Sequence, residues 1–251
     1  MDILITGLLL GATYSLIAMG LTFQYGVARI MNLANGEMLV IGAFAAFWAA
    51  AGQGTDPYFS LIYVVPGAYG LNWLIYRYLL HPLVRRAKNR GMLEVDSILA
   101  TFGISFIFVG LMLMFFGGEY FTYSYLVEPY RIFDSPFGLN RVIGGLISLL
   151  ICGGLYWGLY HTRLGMAMRA LAVDPQAAGL VAIDVPRLSA FSFALGGAVT
   201  ATGGIILSTF LTMDASVGVV FTMKRMKVHE AARRPSGWEP GFAELRDRRE
   251  G

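Results

Sequence analysis

Nine residues decide the fold, Arg29-Ile30-Met31-Asn32-Leu33-Ala34-Asn35-Gly36-Glu37, because they set polar and charged groups between two strongly apolar stretches. A charge at the centre of a bilayer costs about 2.5 to 3.5 kcal/mol on insertion scales. A membrane-spanning chain that keeps Arg29 and Glu37 at such a position is expected to use them, either in a transport path or as a buried pair.

The composition around this run indicates a membrane protein. Of the 251 residues, 56% are hydrophobic and 14% are charged, and the mean hydropathy is +0.61. A soluble domain does not need so much apolar surface, whereas a hydrocarbon core about 30 Å thick requires about 20 apolar residues per helix. We therefore predict an all-α fold, a polytopic transmembrane helical bundle. The candidate spans are residues 3–23, 38–51, 58–80, 98–116, 142–160 and 188–211.

The second candidate span, residues 38–51, is expected to be too short to cross a bilayer alone. We therefore expect the polar run before it to enter the membrane as a broken or re-entrant segment, covered by protein or lining a water-filled cavity. Asn32, Asn35 and Glu37 are then candidates for the lining of a translocation path. The alternative is that Asn35 accepts backbone N–H bonds as a helix cap while Glu37 favours the positive end of the helix dipole.

Basic residues in the short loops predict the orientation of the chain. The loop after the third span carries Arg85, Arg86, Lys88 and Arg90, and the loop after the fifth carries Arg163, Arg169 and Arg187. Both loops are expected to be cytoplasmic. The loop at residues 117–141 has two basic residues and many aromatic ones, which suits the outer interface. Counting back places the N-terminus outside.

The sequence lacks the residues for hydrolytic chemistry or for ATP hydrolysis. Its one cysteine, Cys152, forms no intrachain disulfide, and no histidine lies at metal-ligand spacing from another ligand. No Gly-Lys-Ser or Gly-Lys-Thr occurs, so the phosphate-binding loop of an ATPase cannot be drawn. We predict a protein that is not an enzyme and needs no metal and no cofactor, with any ATP used by another polypeptide.

Glycines recur at helical spacing in several spans. Gly7 and Gly11 lie one turn apart, as do Gly154 and Gly158, and four more glycines cluster at residues 196–204. Small residues let helix backbones approach each other. Tight packing within one bundle explains these glycines, and a face between subunits is the alternative.

The stretch between the fifth and sixth spans is more than a simple connector. Good helix formers at residues 163–179 place an apolar face at Met166, Ala167, Ala170 and Leu171. Asp174 is expected to cap a second short helix that Pro175 opens. Short surface helices with small residues suit docking into a cleft of another protein, and they equally suit an interfacial cover for the bundle end.

Three segments together form a recognisable pattern. They are residues 7–21, residues 31–37 with Ile41-Gly42-Ala43, and residues 162–170 with Asp174, Ala177-Ala178 and Ile183-Asp184-Val185. In order and spacing they resemble the first helix, the Asn-x-Ala-His-Gly-Glu signature and the cytoplasmic coupling loop of permease subunits of bacterial ABC importers. These importers carry branched-chain amino acids, and the family includes urea and short-amide relatives. The resemblance covers about residues 3–224.

The resemblance implies a multi-pass protein of the bacterial inner (plasma) membrane that forms part of a translocation path for branched-chain amino acids. The partners it implies are ATP-binding ABC subunits, a second permease subunit and an extracytoplasmic substrate-binding protein, besides membrane lipid; no nucleic acid is expected. ATP binding and hydrolysis would bias alternating access. The ATPase-coupling candidates it implies are Asp174, Ala177, Ala178 and Arg187.

The chain departs from the family pattern at three places. Asn35 stands where the family usually has His, which removes a titratable side chain and keeps a hydrogen-bonding one. Ala182 replaces the usual Gly of the coupling loop. Beyond about residue 224, a charged run replaces a Gly-rich apolar continuation, and a frameshifted or truncated gene product would explain the change.

Charge separates this last stretch from the rest. Residues 1–223 hold 11 Lys and Arg against 11 Asp and Glu, whereas residues 224–251 hold 8 against 5, so the net charge of +3 lies in the tail. We divide the chain into a transmembrane permease domain, residues 1–223, incomplete relative to the family, and a charged tail, residues 224–251, expected to be disordered or to lie on anionic headgroups.

The sequence is also compatible with three other functions. A urea or short-amide permease would need similar hydrogen-bonding groups, and the sequence does not identify the substrate. An ion-coupled secondary transporter also uses broken helices with buried Asn and Glu. A non-functional truncated subunit is the third alternative, which the tail favours.

Overall fold

The chain folds into a bundle of helices. A computed structural model describes residues 2–54, 56–86, 90–116, 129–132, 135–181 and 183–211. The helices are α1 (Asp2–Thr22), α2 (Asn35–Gln53), α3 (Leu61–Ile75), α4 (His81–Arg86), α5 (Arg90–Phe116), α6 (Leu139–His161), α7 (Arg163–Val173), α8 (Pro175–Leu180) and α9 (Val185–Ser208). Ala182, Lys88 and the tail at residues 224–251, on which predictions were made, lie outside the described residues.

Six helical stretches are long and apolar enough to cross a membrane, which confirms the predicted all-α polytopic bundle. They are Leu4–Val27, Asn35–Gly52, Pro57–Arg86, Gly91–Phe116, Leu139–His161 and Val185–Ser208. Helix α1 continues through a π-helical turn, Phe23–Val27, and α3 continues through another, Tyr76–Leu80. A small antiparallel hairpin, β1 (Pro129–Ile132) with β2 (Ser135–Gly138), was not predicted; it pairs Pro129 with Gly138.

The start of α2 corrects the predicted second span. This helix has 19 residues and begins at Asn35, so the expectation that it is too short to span is wrong. The first turn of α2 contains Asn35, Gly36 and Glu37, so the hydropathy pattern does not identify it as part of an apolar helix. The predicted break lies just before the helix, because residues 28–34 are not helical. Ile30 and Ala34 of this broken segment are nonetheless buried, so protein covers its backbone.

Helix α9 occupies the centre of the bundle and is buried along almost its whole length, with α1, α2 and α3 packed around it. Its glycines permit backbone contact: a Cβ on Gly204 would collide with the carbonyl group of Leu39, and one on Gly42 would collide with that of Ala201. The described part of the chain places nothing within 4 Å of such an atom on Gly7, Gly11, Gly154 or Gly158. The cluster on α9 thus serves packing within the bundle.

The outer helices present apolar side chains outward. Helix α6 packs on α1, and α5 lies beside α2 with few other contacts among the described elements. Leu99, Phe106 and Met114 of α5 are exposed, as are Leu150 and Trp157 of α6. Such faces suit lipid, because lipid tails are as apolar as these side chains.

Candidate functional site

The polar run lies beside the middle of α5. The hydroxyl of Ser105 donates a hydrogen bond of 2.9 Å to Oε1 of Glu37. Ser105 lies 14 residues after Gly91 and 11 before Phe116, the ends of the apolar span on α5. At about 1.5 Å per residue, Glu37 is therefore about 20 Å from one end of that span and about 16 Å from the other. The first turn of α2 thus sits at mid-depth of a helix long enough to cross a membrane.

A chain of hydrogen bonds holds the broken segment in shape. Nε2 of Gln24, in the π-helical turn of α1, donates to the carbonyl oxygen of Phe193 on α9 at 3.2 Å. Nδ2 of Asn32 donates to Oε1 of Gln24 at 3.1 Å, and Oδ1 of Asn32 accepts from the backbone N–H of Ala34 at 3.0 Å. Asn32 is thus bonded through both of its polar atoms. The sequence analysis did not identify Gln24. A polar glutamine directly after the predicted apolar span 3–23 is the signal that could have identified it.

Asn35 and Glu37 are buried in the first turn of α2, each with 1% of its surface exposed. Neither polar side-chain atom of Asn35, nor Oε2 of Glu37, has a hydrogen-bond partner in the described part of the chain. The expectation that Asn35 caps α2 is wrong, since the N-cap residue is Ala34 and no side chain caps this end. Glu37 does lie in the first turn, where the helix dipole favours a negative charge. Buried polar groups are rarely left unbonded, so this turn requires an explanation.

Arg29 and Glu37 do not form the buried pair that was one expectation for them. Nη2 of Arg29 donates instead to the carbonyl oxygens of Ala172 at 2.8 Å and Val173 at 3.0 Å, the last two residues of α7. The backbone of Arg29 has φ +56°, in the left-handed region that disfavours side chains. Its partner carbonyls are groups that the end of a helix leaves unsatisfied.

Helices α7 and α8 follow the predicted pattern of caps. The hydroxyl of Thr162 accepts from the N–H of Gly165 at 3.0 Å at the start of α7. Oδ1 of Asp174 accepts from the N–H groups of Gln176 and Ala177 at 2.8 and 3.3 Å, which confirms the predicted cap before Pro175. The predicted apolar set of α7 is divided between two environments, because Leu171 is buried whereas Met166 and Ala170 are exposed. The other buried residues of α7 are Gly165 and Met168.

The four ATPase-coupling candidates do not share one surface. Asp174, Ala177 and Arg187 are exposed, whereas Ala178 is 2% exposed and packs with the buried side chains of α7 and the π-helical turn of α1. Nε of Arg187 lies 2.9 Å from Oδ2 of Asp184, an exposed pair at the start of α9. Val173 and Leu180, at the ends of α7 and α8, are 83% and 89% exposed, although neither helix belongs to a candidate membrane span.

Comparison with known proteins identifies the family. The family described as "Branched-chain amino acid transport system / permease component" matches residues 3–226. The chain belongs to this family. The permease is 27% identical over 235 residues to the high-affinity branched-chain amino acid transport system permease protein LivH of Salmonella typhimurium, and equally so to LivH of Escherichia coli K12; 87% of this chain and 74% of each relative are covered. It is also 27% identical over 221 residues to BraD of Pseudomonas aeruginosa, which bears the same description, with 81% and 69% covered. No solved structure matched.

Family membership makes this chain a multi-pass membrane permease of the ABC importer type. In this permease the two sets of predicted site residues lie apart. Asn32, Asn35 and Glu37 are buried near the middle of the bundle, and the exposed coupling candidates lie on the helices beyond the end of α6. Among the residues that the structure describes, no group of three or more His, Cys, Asp or Glu side chains could hold a metal ion.

Proposed function

We propose that this permease forms part of the path by which an ABC importer moves branched-chain amino acids across the bacterial inner membrane. One observation carries the proposal: Asn35 and Glu37 are buried beside the middle of α5 with polar atoms that the described chain leaves unbonded. An amino acid brings an ammonium group, which suits Oε2 of Glu37, and a carboxylate, which suits Nδ2 of Asn35. The names of the LivH and BraD relatives support this class of substrate.

The ATP-binding partner is proposed to dock on α7 and α8. Val173 and Leu180 expose apolar side chains there outside the membrane spans, and Asp174, Ala177 and, at the start of α9, Arg187 are exposed as well. Large apolar side chains that are exposed outside the membrane spans support a protein contact on these helices. In this arrangement Ala178 supports α8 from beneath, since its side chain faces the bundle.

The remaining partners follow from the proposed division of labour. A second permease subunit completes the path, an extracytoplasmic binding protein delivers the substrate, and the ATP-binding subunits supply the energy that the permease does not obtain itself. The N-terminus is proposed to lie outside, which places α7 and α8 in the cytoplasm, where Arg163 and Arg169 favour that side.

The test is ATP-dependent uptake of labelled L-leucine into proteoliposomes that contain the permease with its partner subunits. Glu37→Gln keeps the shape of the side chain and removes the charge. We expect uptake to fall about tenfold or more with assembly intact, because a hydrogen bond to a charged group is worth about 1.5 to 3 kcal/mol. Glu94→Gln is the matched control, since Glu94 is exposed near the start of α5.

Two outcomes would contradict the proposal. Full leucine uptake by Glu37→Gln would remove Glu37 from the path. Uptake that needs an ion gradient and proceeds without ATP would replace the ABC mechanism with secondary transport.

A further inference from the structure

Arg29 connects the end of α7 to the broken segment that precedes α2. Its guanidinium binds the end of α7, and its backbone begins the segment that leads within eight residues to Glu37. We propose that Arg29 is a positioning residue that transmits movement of the corner between α7 and α8 to the first turn of α2. The inference rests on the proposed function in one respect, since the ATPase would supply the force on that corner.

The contact between Arg29 and α7 lies at the corner where α7 ends and α8 begins. Nη2 of Arg29 bonds the carbonyl oxygens of Ala172 and Val173, and the next residue, Asp174, caps α8. A cation at the carboxyl end of a helix is also favoured by the helix dipole. A displacement of the end of α7, which Asp174 joins to α8, therefore acts directly on the guanidinium.

The corner has room to move. Arg29, Leu171 and Pro175 line a cavity of about 490 Å³ that lies between the end of α1, the first turns of α5 and the end of α7. A closely packed interior would resist movement of the corner between α7 and α8. A cavity beside the contact leaves space for this corner to move toward or away from Arg29.

The connection toward α2 is short and held at several points. Ile30 is fully buried with Tyr76 and Phe193, and Asn32 is bonded to Gln24. The N–H of Leu33 donates to Oγ1 of Thr101 at 3.1 Å. A segment of so few residues, tied along its length, passes a displacement on to Asn35 and Glu37 rather than absorbing it in a flexible loop.

The left-handed backbone at Arg29 supplies a clean variant. Arg29→Gly removes the guanidinium at a position where glycine fits the backbone better than arginine does, so the fold is not strained by the change. Arg29→Ala would strain the same backbone and is not informative. Arg29→Lys keeps the charge but loses the fork of the guanidinium.

The first experiment needs only the full chain in lipid nanodiscs and does not depend on transport. Asp174→Ala disturbs the corner by removing the cap of α8, and hydrogen exchange is followed at the backbone amides of residues 35–38. We expect Asp174→Ala to accelerate this exchange about fivefold or more in the chain with Arg29, the lower bound typical of coupled sites. In the chain with Arg29→Gly, Asp174→Ala should change the exchange rate of these amides less than twofold. Equal acceleration in both backgrounds, or none in either, would overturn the proposal.

The second experiment uses the assembled importer and separates this proposal from the proposed function. Arg29→Gly should keep ATP hydrolysis and lower L-leucine uptake per ATP about fivefold or more, with Arg29→Lys between it and the unchanged chain. Arg86→Gln, an exposed arginine at the end of α4, is the control for lost charge. Unchanged uptake per ATP in Arg29→Gly overturns the role of Arg29 and leaves transport standing. If the unaltered complex imports no leucine, the proposed function fails, and coupled exchange would still support Arg29.

Discussion

Replacing Gly204 by alanine tests the contact between the backbones of α2 and α9. A Cβ at this position would lie 2.7 Å from the carbonyl carbon of Leu39 and 3.0 Å from its Cα, and closer still to its oxygen. Backbone atoms cannot rotate away as a side chain does, so α2 must shift. Overpacking of this kind costs about 1 to 3 kcal/mol, and alanine recovers about 0.5 to 1 kcal/mol through its helix preference. Because the added atom meets backbone, the upper half of this cost applies, about 2 to 3 kcal/mol, and we expect a net loss of about 1 to 2.5 kcal/mol.

The assay is thermal unfolding of the purified chain in detergent, followed by tryptophan fluorescence. For a protein of this size, 1 kcal/mol shifts the Tm by about 2 to 4 °C, so Gly204→Ala should lower the Tm by about 2 to 10 °C. Gly154→Ala is the matched control, because the described chain places nothing within 4 Å of the added atom. That variant should hold or raise the Tm. If both substitutions shift the Tm in the same direction by the same amount, the close contact of α2 and α9 is refuted.

Further substitutions examine the coupling corner and the broken segment. Ala178→Asp should lower the yield of folded chain, because a buried carboxylate without a partner costs about 3 kcal/mol or more, whereas the exposed Ala177→Asp should fold normally and fail to copurify the ATPase. Equal yields of folded protein would contradict the burial of Ala178. Asn32→Ala leaves Oε1 of Gln24 and the N–H of Ala34 without their partner and should cost about 1 to 3 kcal/mol for each, read as a lower Tm. An unchanged Tm would show that these two bonds do not hold the segment.

Hydropathy was enough to locate the six spans, because length and apolar composition are local properties of each helix. It failed at the start of α2, where Asn35, Gly36 and Glu37 look like a loop and form a helical turn. Their burial depends on α5, which supplies Ser105 from 68 residues further along the chain. A pattern confined to one helix contains no information about such a partner.

The sequence singled out a polar run whose Asn32, Asn35 and Glu37 are buried, but it did not give the contacts of these side chains. Asn32 shapes the break through Gln24, and Arg29 binds α7, whose carbonyls lie 143 and 144 residues away in sequence. Periodicity likewise indicates that α7 has an apolar face, but the side that turns inward is decided by the π-helical turn of α1, against which Met168 packs while Met166 stays exposed. Roles that depend on distant partners therefore required the structure.

The central place of α9 has a consequence for how the protein is made. The ribosome synthesises α9 after the three helices that pack around it, and Gln24 must wait for Phe193, which lies 169 residues further along the chain. At about 5 to 20 residues per second, that interval lasts about 10 to 30 s. During it, Gln24 in α1 and Asn72 in α3 are already committed to the membrane while the helix that will bury them has not yet been translated. Newly inserted α1, α2 and α3 therefore carry polar side chains whose burial is complete only when α9, the centre of their own bundle, has been made.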